Sequence, residues 1–121
     1  MEATRKKYLE DLGVDFAITI PRFLDREDFY LRMLGKFMEE PYIEDIEKGL
    51  ESEDYEAAFR ACHSLKGVSV NLGLDRLYEK TLPLTEALRQ APYNRERILA
   101  HFAQVKQSFD INIEGIKKAL A

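Results

Sequence analysis

The fold is decided by residues 58–73, which read AFRACHSLKGVSVNLG. On an α-helix each residue lies about 100° further around the axis than the one before it. At that spacing the mostly apolar residues fall on one broad side, which is typical of a helix packed against a core. They are Ala58, Ala61, Cys62, Leu65, Val68, Ser69 and Leu72. His63 points almost the opposite way, so the pattern predicts an amphipathic helix with an exposed imidazole.

The surface around His63 suits a bound anion. Phe59, Lys66, Gly67 and Val70 lie three, four or seven residues from it and are its neighbours on the helix surface. Glycine inside a helix costs about 1 kcal/mol relative to alanine, and at position 67 it leaves open space beside the imidazole. Lys66 can bring a positive charge to a group bound there. A histidine, a cation and a cleared space together favour a phosphoryl group on the ring.

His-Ser-Leu-Lys-Gly at 63–67, followed by Asn-Leu-Gly at 71–73, resembles the signature of the histidine-containing phosphotransfer (HPt) domain. The family pattern is His-x-x-Lys-Gly with a later glycine, inside a small helical bundle. In length and helix layout the resemblance covers nearly the whole chain. It implies that His63 accepts the phosphoryl group and that Lys66 holds its oxygens, with Gly67 leaving room.

HPt domains often add a polar residue, commonly glutamine, from the following helix. This chain offers Thr85 or Glu86 at that place, with Arg89 one turn further as a second phosphate-facing cation. Phe59 and Val70 flank His63 outside the predicted core. Exposed apolar residues around a reactive polar one predict a patch for docking a partner, unless a neighbouring helix covers them.

The resemblance implies an all-α fold, an antiparallel four-helix bundle with one or two short N-terminal helices across one end. Apolar spacing and turn residues predict helices over 2–12, 16–23, from Asp25 onward, over the segment carrying His63, over 75–90, and from Asn94 to the end of the chain. Pro41 divides the Asp25 segment into one kinked helix or two abutting helices. Pro83 predicts a kink in the 75–90 helix. Ser52 or Asp54 can cap the His63 helix, and Asp15, Asp25 and Asn94 are the predicted caps of the helices that follow them.

Length, charge and composition narrow the possible functions. The chain has 121 residues and one cysteine, with 18 Lys and Arg against 22 Asp and Glu, a formal charge of −4. We expect one domain over residues 1–121, in a reducing cytoplasm, with no nucleic acid as main partner. No apolar run approaches a membrane span, and the first seven residues do not resemble a signal peptide.

Other chemistries are disfavoured by position. Cys62 and His63 are adjacent on a helix and point about 100° apart, so they do not form a nucleophilic pair. His101 lies alone on the last helix and is interpreted as a surface or boundary residue. The sequence shows no metal-ligand spacing and no Gly-rich phosphate loop, so we expect no metal site and no ATP binding.

The resemblance implies a phosphoryl carrier rather than a kinase. In that interpretation His63 relays the group between the aspartates of receiver domains, which hold the Mg²⁺, and a hybrid sensor kinase is a further possible partner. The family favours a monomer. The alternatives are the phospho-accepting domain of a chemotaxis-type kinase, a module that binds receivers without phosphorylation, and a purely structural bundle.

Overall fold

All the regular secondary structure of the chain is helical, with no β-strand, in a computed structural model that describes all 121 residues. The all-α prediction is therefore confirmed. The helices are α1 (Ala3–Glu10), α2 (Phe16–Thr19), α3 (Glu27–Glu39), α4 (Tyr42–Glu51), α5 (Tyr55–Asn71), α6 (Asp75–Leu88) and α7 (Arg95–Leu120), with a 3-10 turn (Ile20–Phe23) between α2 and α3. None of them combines the length and the apolar character that a membrane crossing requires.

Capping side chains start three of these helices where the sequence predicts. Asp15, Asp54 and Asn94 each accept a hydrogen bond from a backbone N–H in the first turn of α2, α5 and α7. Such a bond satisfies one of the donors that every helix start leaves unpaired. Between the two candidates for α5, Asp54 is the cap, since the Ser52 hydroxyl donates to the Lys48 carbonyl instead.

The predicted start of α3 is wrong. Asp25 has a positive φ of 56°, and the residue before α3 is Arg26, whose side chain makes no capping bond. A capping aspartate needs an extended backbone, which the left-handed conformation of Asp25 does not provide.

The two prolines act differently. Pro41 separates two helices, because α3 ends at Glu39 and α4 begins at Tyr42. Pro83 lies inside α6, which continues to Leu88. Two threonine hydroxyls in α6 donate to carbonyls of their own helix: Thr81 to Tyr78 and Thr85 to Thr81.

The core is one cluster of 23 buried apolar residues, to which α1 and α3 to α7 all contribute. Within it α5 packs between α4 and α6, and α7 packs against α6, α3 and α1. Two of these helices approach each other closely at Gly49, where a Cβ atom would lie 2.8 Å from the backbone nitrogen of Ala58. Glycine therefore lets α4 and α5 meet almost backbone to backbone, which fixes one side of the helix that carries His63.

The 3-10 turn and α3 contact the end of α5, where the chain turns into α6. The Arg22 guanidinium donates to the Val70 carbonyl at 2.7 Å, and the Tyr30 hydroxyl donates to the Leu72 carbonyl at 2.8 Å. The turn itself uses Gly73, whose φ of 73° is in the left-handed region that glycine adopts readily.

α1 lies along the carboxyl end of α7, where Arg5 Nε donates to the carbonyl of Ala119.

Candidate functional site

His63 lies in the middle of α5, and its side chain is exposed as the helical spacing predicts. The ring of Phe59, one turn earlier, stacks on the imidazole with 5.8 Å between ring centroids and 22° between ring planes. Their neighbours on the opposite side, Ala58, Cys62 and Leu65, are fully buried. The helix therefore holds the imidazole in solvent while its other face is fixed in the core.

Gly67 leaves an open notch one turn after His63. A Cβ atom at this position would meet no other atom within 4 Å, apart from its chain neighbours and the backbone of its own helix. No packing requirement accounts for glycine here, in contrast to Gly49. The space beside the imidazole is therefore available to a bound group.

Three charged side chains lie on the surface of α5 and α6 near His63. Lys66 is half-buried and forms no ion pair. On α6, Arg89 donates two hydrogen bonds to Glu86 Oε1, at 2.8 Å from Nη2 and 3.2 Å from Nε. These bonds lower the pKa of the Glu86 carboxyl, and the charge of Lys66 lowers it further. Two cations against one carboxylate leave this surface positive.

Arg89 also reaches the aromatic side chain that supports His63. Its guanidinium carbon lies 5.4 Å from the centroid of the Phe59 ring. A cation over an aromatic face is attracted by the negative charge density of the ring. Phe59 is thus held between the imidazole and the guanidinium, and it links the candidate acceptor on α5 to a cation on α6.

The sequence model of the Hpt domain matches residues 32–114, which include the motif at 63–67 and most of α3 to α7. This chain belongs to the Hpt domain family. Hpt domains are phosphocarrier modules of two-component signalling, and they are not kinases. Comparisons with curated proteins and with solved structures gave no match.

Of the two alternative polar candidates on α6 of this Hpt domain, only Glu86 is exposed. Thr85 is buried, and its hydroxyl lies 3.3 Å from Cys62 Sγ beneath α5. It cannot reach a group on His63, whereas Glu86 is exposed. The two positions are adjacent on a helix and point about 100° apart. Counted from the buried Leu77, Leu84 and Leu88, helical spacing places Thr85 beside the core and Glu86 opposite it.

Cys62 is a core residue, as its position predicts. It is fully buried, and burial raises the pKa of its thiol despite smaller opposing effects of Thr85 and Lys66. His101 is half-exposed on α7. No group of three His, Cys, Asp or Glu side chains is arranged to hold a metal ion.

The two predicted docking residues differ in exposure. Val70 is 38 % exposed, whereas Phe59 is half-buried against the core and Arg89 covers part of its ring. Ile18 and Leu24, which are not among the residues predicted for docking, are also exposed apolar side chains. They lie on the N-terminal segment that Arg22 anchors to the end of α5. No motif in the sequence marks them as contact residues.

Proposed function

We propose that this Hpt domain relays a phosphoryl group between the aspartates of receiver domains in a multistep two-component pathway, with His63 as the phosphohistidine. The observation that carries the proposal is the exposed imidazole beside the notch at Gly67. Space on the ring surface has no structural use here, since no packing requires it, but an in-line phosphoryl transfer needs it. The match to the family supports the reaction class.

The transfer needs little chemistry from this chain. The lone pair of an unprotonated ring nitrogen of His63 attacks the phosphorus of an aspartyl phosphate. The N–P bond forms as the P–O bond to the aspartate breaks, and the carboxylate leaves. The transition state is loose and metaphosphate-like, so positioning and charge neutralisation dominate catalysis. The return step reverses these bonds on a second receiver, and the Mg²⁺ that assists both steps belongs to the receiver, so this chain needs no cofactor of its own.

Lys66 and Arg89 supply the positive charge. Lys66 has no competing ion pair, so its ammonium is available to the phosphoryl oxygens. Arg89 is held by Glu86 in the free protein, and a phosphoryl dianion offers its guanidinium stronger charge-assisted hydrogen bonds than a single carboxylate. Arg89 therefore exchanges Glu86 for the phosphoryl group once His63 is modified.

Phe59 and Val70 form the centre of the docking surface for receivers. Ile18 and Leu24 extend it along the N-terminal segment, because the hydrogen bond from Arg22 to Val70 holds that segment against the end of α5. Exposed apolar side chains near a charged site are typical of a protein interface. The partners are receiver domains and a hybrid sensor kinase, not nucleic acid or a membrane.

The architecture that fits this role is a single domain in which α4 to α7 form an antiparallel four-helix bundle. The connections between these helices are short, and short connections favour antiparallel neighbours. The domain works in the cytoplasm. It works as a monomer, because a free α5 surface is needed to engage one receiver after another.

Transfer from a phosphorylated receiver tests the proposal directly. The purified protein is incubated with a receiver carrying labelled phosphate, and label that is acid-labile and base-stable is followed. The wild type and His101→Gln should acquire it, and His63→Gln should not. Equal labelling of His63→Gln would overturn the assignment. Binding of the receiver without any labelling of the wild type would favour the non-phosphorylated docking module.

A further inference from the structure

Glu86 lies on the part of α6 that packs beside the candidate acceptor. Thr85, the residue before it, contacts Cys62 of α5, and Arg89, one turn after it, lies over the ring of Phe59. These two contacts bring this part of α6 against the turn of α5 that leads into the exposed imidazole. The side chain of Glu86 is 69 % exposed, so its carboxylate belongs to the surface that a phosphoryl group on the ring would share.

The two cations near His63 differ in what they bind in the free protein. Lys66 forms no ion pair. The guanidinium of Arg89 donates through both Nη2 and Nε to Glu86 Oε1, because residues three apart are neighbours on a helix surface. Lys66 can therefore bind an anion at once, whereas Arg89 must first leave Glu86.

A phosphoryl group on His63 changes the partner of Arg89. The N–P bond forms, the P–O bond to the receiver aspartate breaks, and the aspartate leaves as a carboxylate, so a dianionic group now lies on the imidazole. The charge-assisted bonds that Arg89 gives to this group are offset by those it gives up with Glu86. Because Glu86 binds Arg89 in the unmodified domain only, it shifts the equilibrium toward the unmodified state.

We propose that Glu86 competes with the phosphohistidine for Arg89 and thereby biases the phosphoryl group toward the receivers. This inference rests on the proposed relay through His63. Glu86 is a positioning residue in this scheme, because it acts on the phosphoryl group through Arg89. The consequence is a domain that passes the group on rather than storing it.

The equilibrium constant for phosphoryl transfer from one receiver to His63 measures this bias. Labelled phosphate is added on either protein, and the ratio of label on the two proteins is read once it is constant. Glu86→Gln should raise the constant about two- to fivefold, the range expected for an exposed ion pair. Arg89→Gln should lower it. Glu79→Gln is the matched control and should leave it unchanged, because Glu79 is also exposed on α6 but lies two turns before Glu86.

Two further measurements distinguish competition for Arg89 from other effects of residue 86. When Arg89→Gln is already present, adding Glu86→Gln should leave the constant nearly unchanged, because no guanidinium remains to compete for. Raising the salt concentration to about 1 M should reduce the difference between the wild type and Glu86→Gln, since salt screens exposed charges. A purely structural effect of residue 86 would not depend on salt in this way.

The outcomes separate this inference from the relay itself. An unchanged constant in Glu86→Gln, with normal labelling of His63, would overturn the inference and leave the relay standing. An equal rise with and without Arg89 would also overturn it, because Glu86 would then act on the phosphoryl group by charge repulsion alone. A wild-type protein that takes up no label would overturn the relay, and the inference with it.

Discussion

The ring of Phe59 stacks on the ring of His63, with 5.8 Å between centroids and 22° between planes. Because the guanidinium of Arg89 lies against Phe59 as well, one aromatic side chain joins the candidate acceptor to a cation on the neighbouring helix. The stack restricts how the imidazole can rotate. Phe59 is thus a positioning residue for His63 as well as a contact surface for a partner.

Replacing Phe59 with leucine should slow phosphoryl transfer by up to about tenfold, since an aromatic pair contributes about 0.5–1.5 kcal/mol beyond its buried area. Stability should fall by only about 1 kcal/mol, because leucine still fills most of a half-buried site. Transfer rates and urea unfolding measure the two effects. Phe109→Leu on α7 is the matched control, which should lose similar stability without slower transfer. Equal rates in both variants would remove Phe59 from the site.

Two of the helical glycines, Gly67 and Gly49, should respond in opposite ways to replacement by alanine. Gly67→Ala should raise the free energy of unfolding by about 1 kcal/mol, because the added methyl group meets nothing and alanine favours the helix. Gly49→Ala should lower it by about 1–3 kcal/mol, because the methyl group overlaps the backbone of Ala58. Urea unfolding measures both.

For phosphoryl transfer, position 67 should matter more than position 49. A long side chain, as in Gly67→Gln, should block transfer because it fills the notch beside His63, while Gly49→Ala should transfer normally as long as it is folded. An unfolded Gly67→Gln protein would show instead that the glycine is required for packing.

The carboxyl of Glu86 should titrate below the usual range for glutamate, because Arg89 and, to a smaller extent, Lys66 lower its pKa. Arg89→Gln removes the largest contribution, so the pKa should rise and fewer molecules should carry the charge at a given acidic pH. Carbon-detected NMR of the Glu86 side chain follows the titration. Arg97→Gln, on α7, should leave it in place. An unchanged titration in Arg89→Gln would mean that the ion pair does not persist in solution.

The thiol of Cys62 should be nearly inert while the protein is folded. Burial raises its pKa and therefore lowers the fraction of reactive thiolate at neutral pH, and reactivity should grow as the pH rises. Reaction with a chromogenic disulfide reagent measures it, with and without denaturant. As a reference, Ser64→Cys places a thiol at an exposed position of the same helix. Rapid modification of Cys62 in the wild type at the rate of the Ser64→Cys thiol would contradict its burial.

The sequence predicts those features that depend on neighbours along the chain. Helical periodicity located the apolar face of α5 and the exposure of His63, because side-chain direction repeats along a helix whatever packs against it. The sequence predicts Asp15 and Asn94 as caps, and Asp54 as one of two candidates, because the bond that each makes closes within three residues. Asp25 was misassigned, since its left-handed backbone depends on the path of the N-terminal segment.

Tertiary structure alone decided the relations between helices. Helical spacing along α6 already places Thr85 nearer the core than Glu86, but only the structure shows that Thr85 contacts Cys62 of α5. The same packing set Arg89 over Phe59. By itself the sequence determined that an imidazole, a cation and a glycine share one surface of a helix. Which groups from other helices complete that surface depends on contacts between residues far apart in the chain, and only their packing settles these.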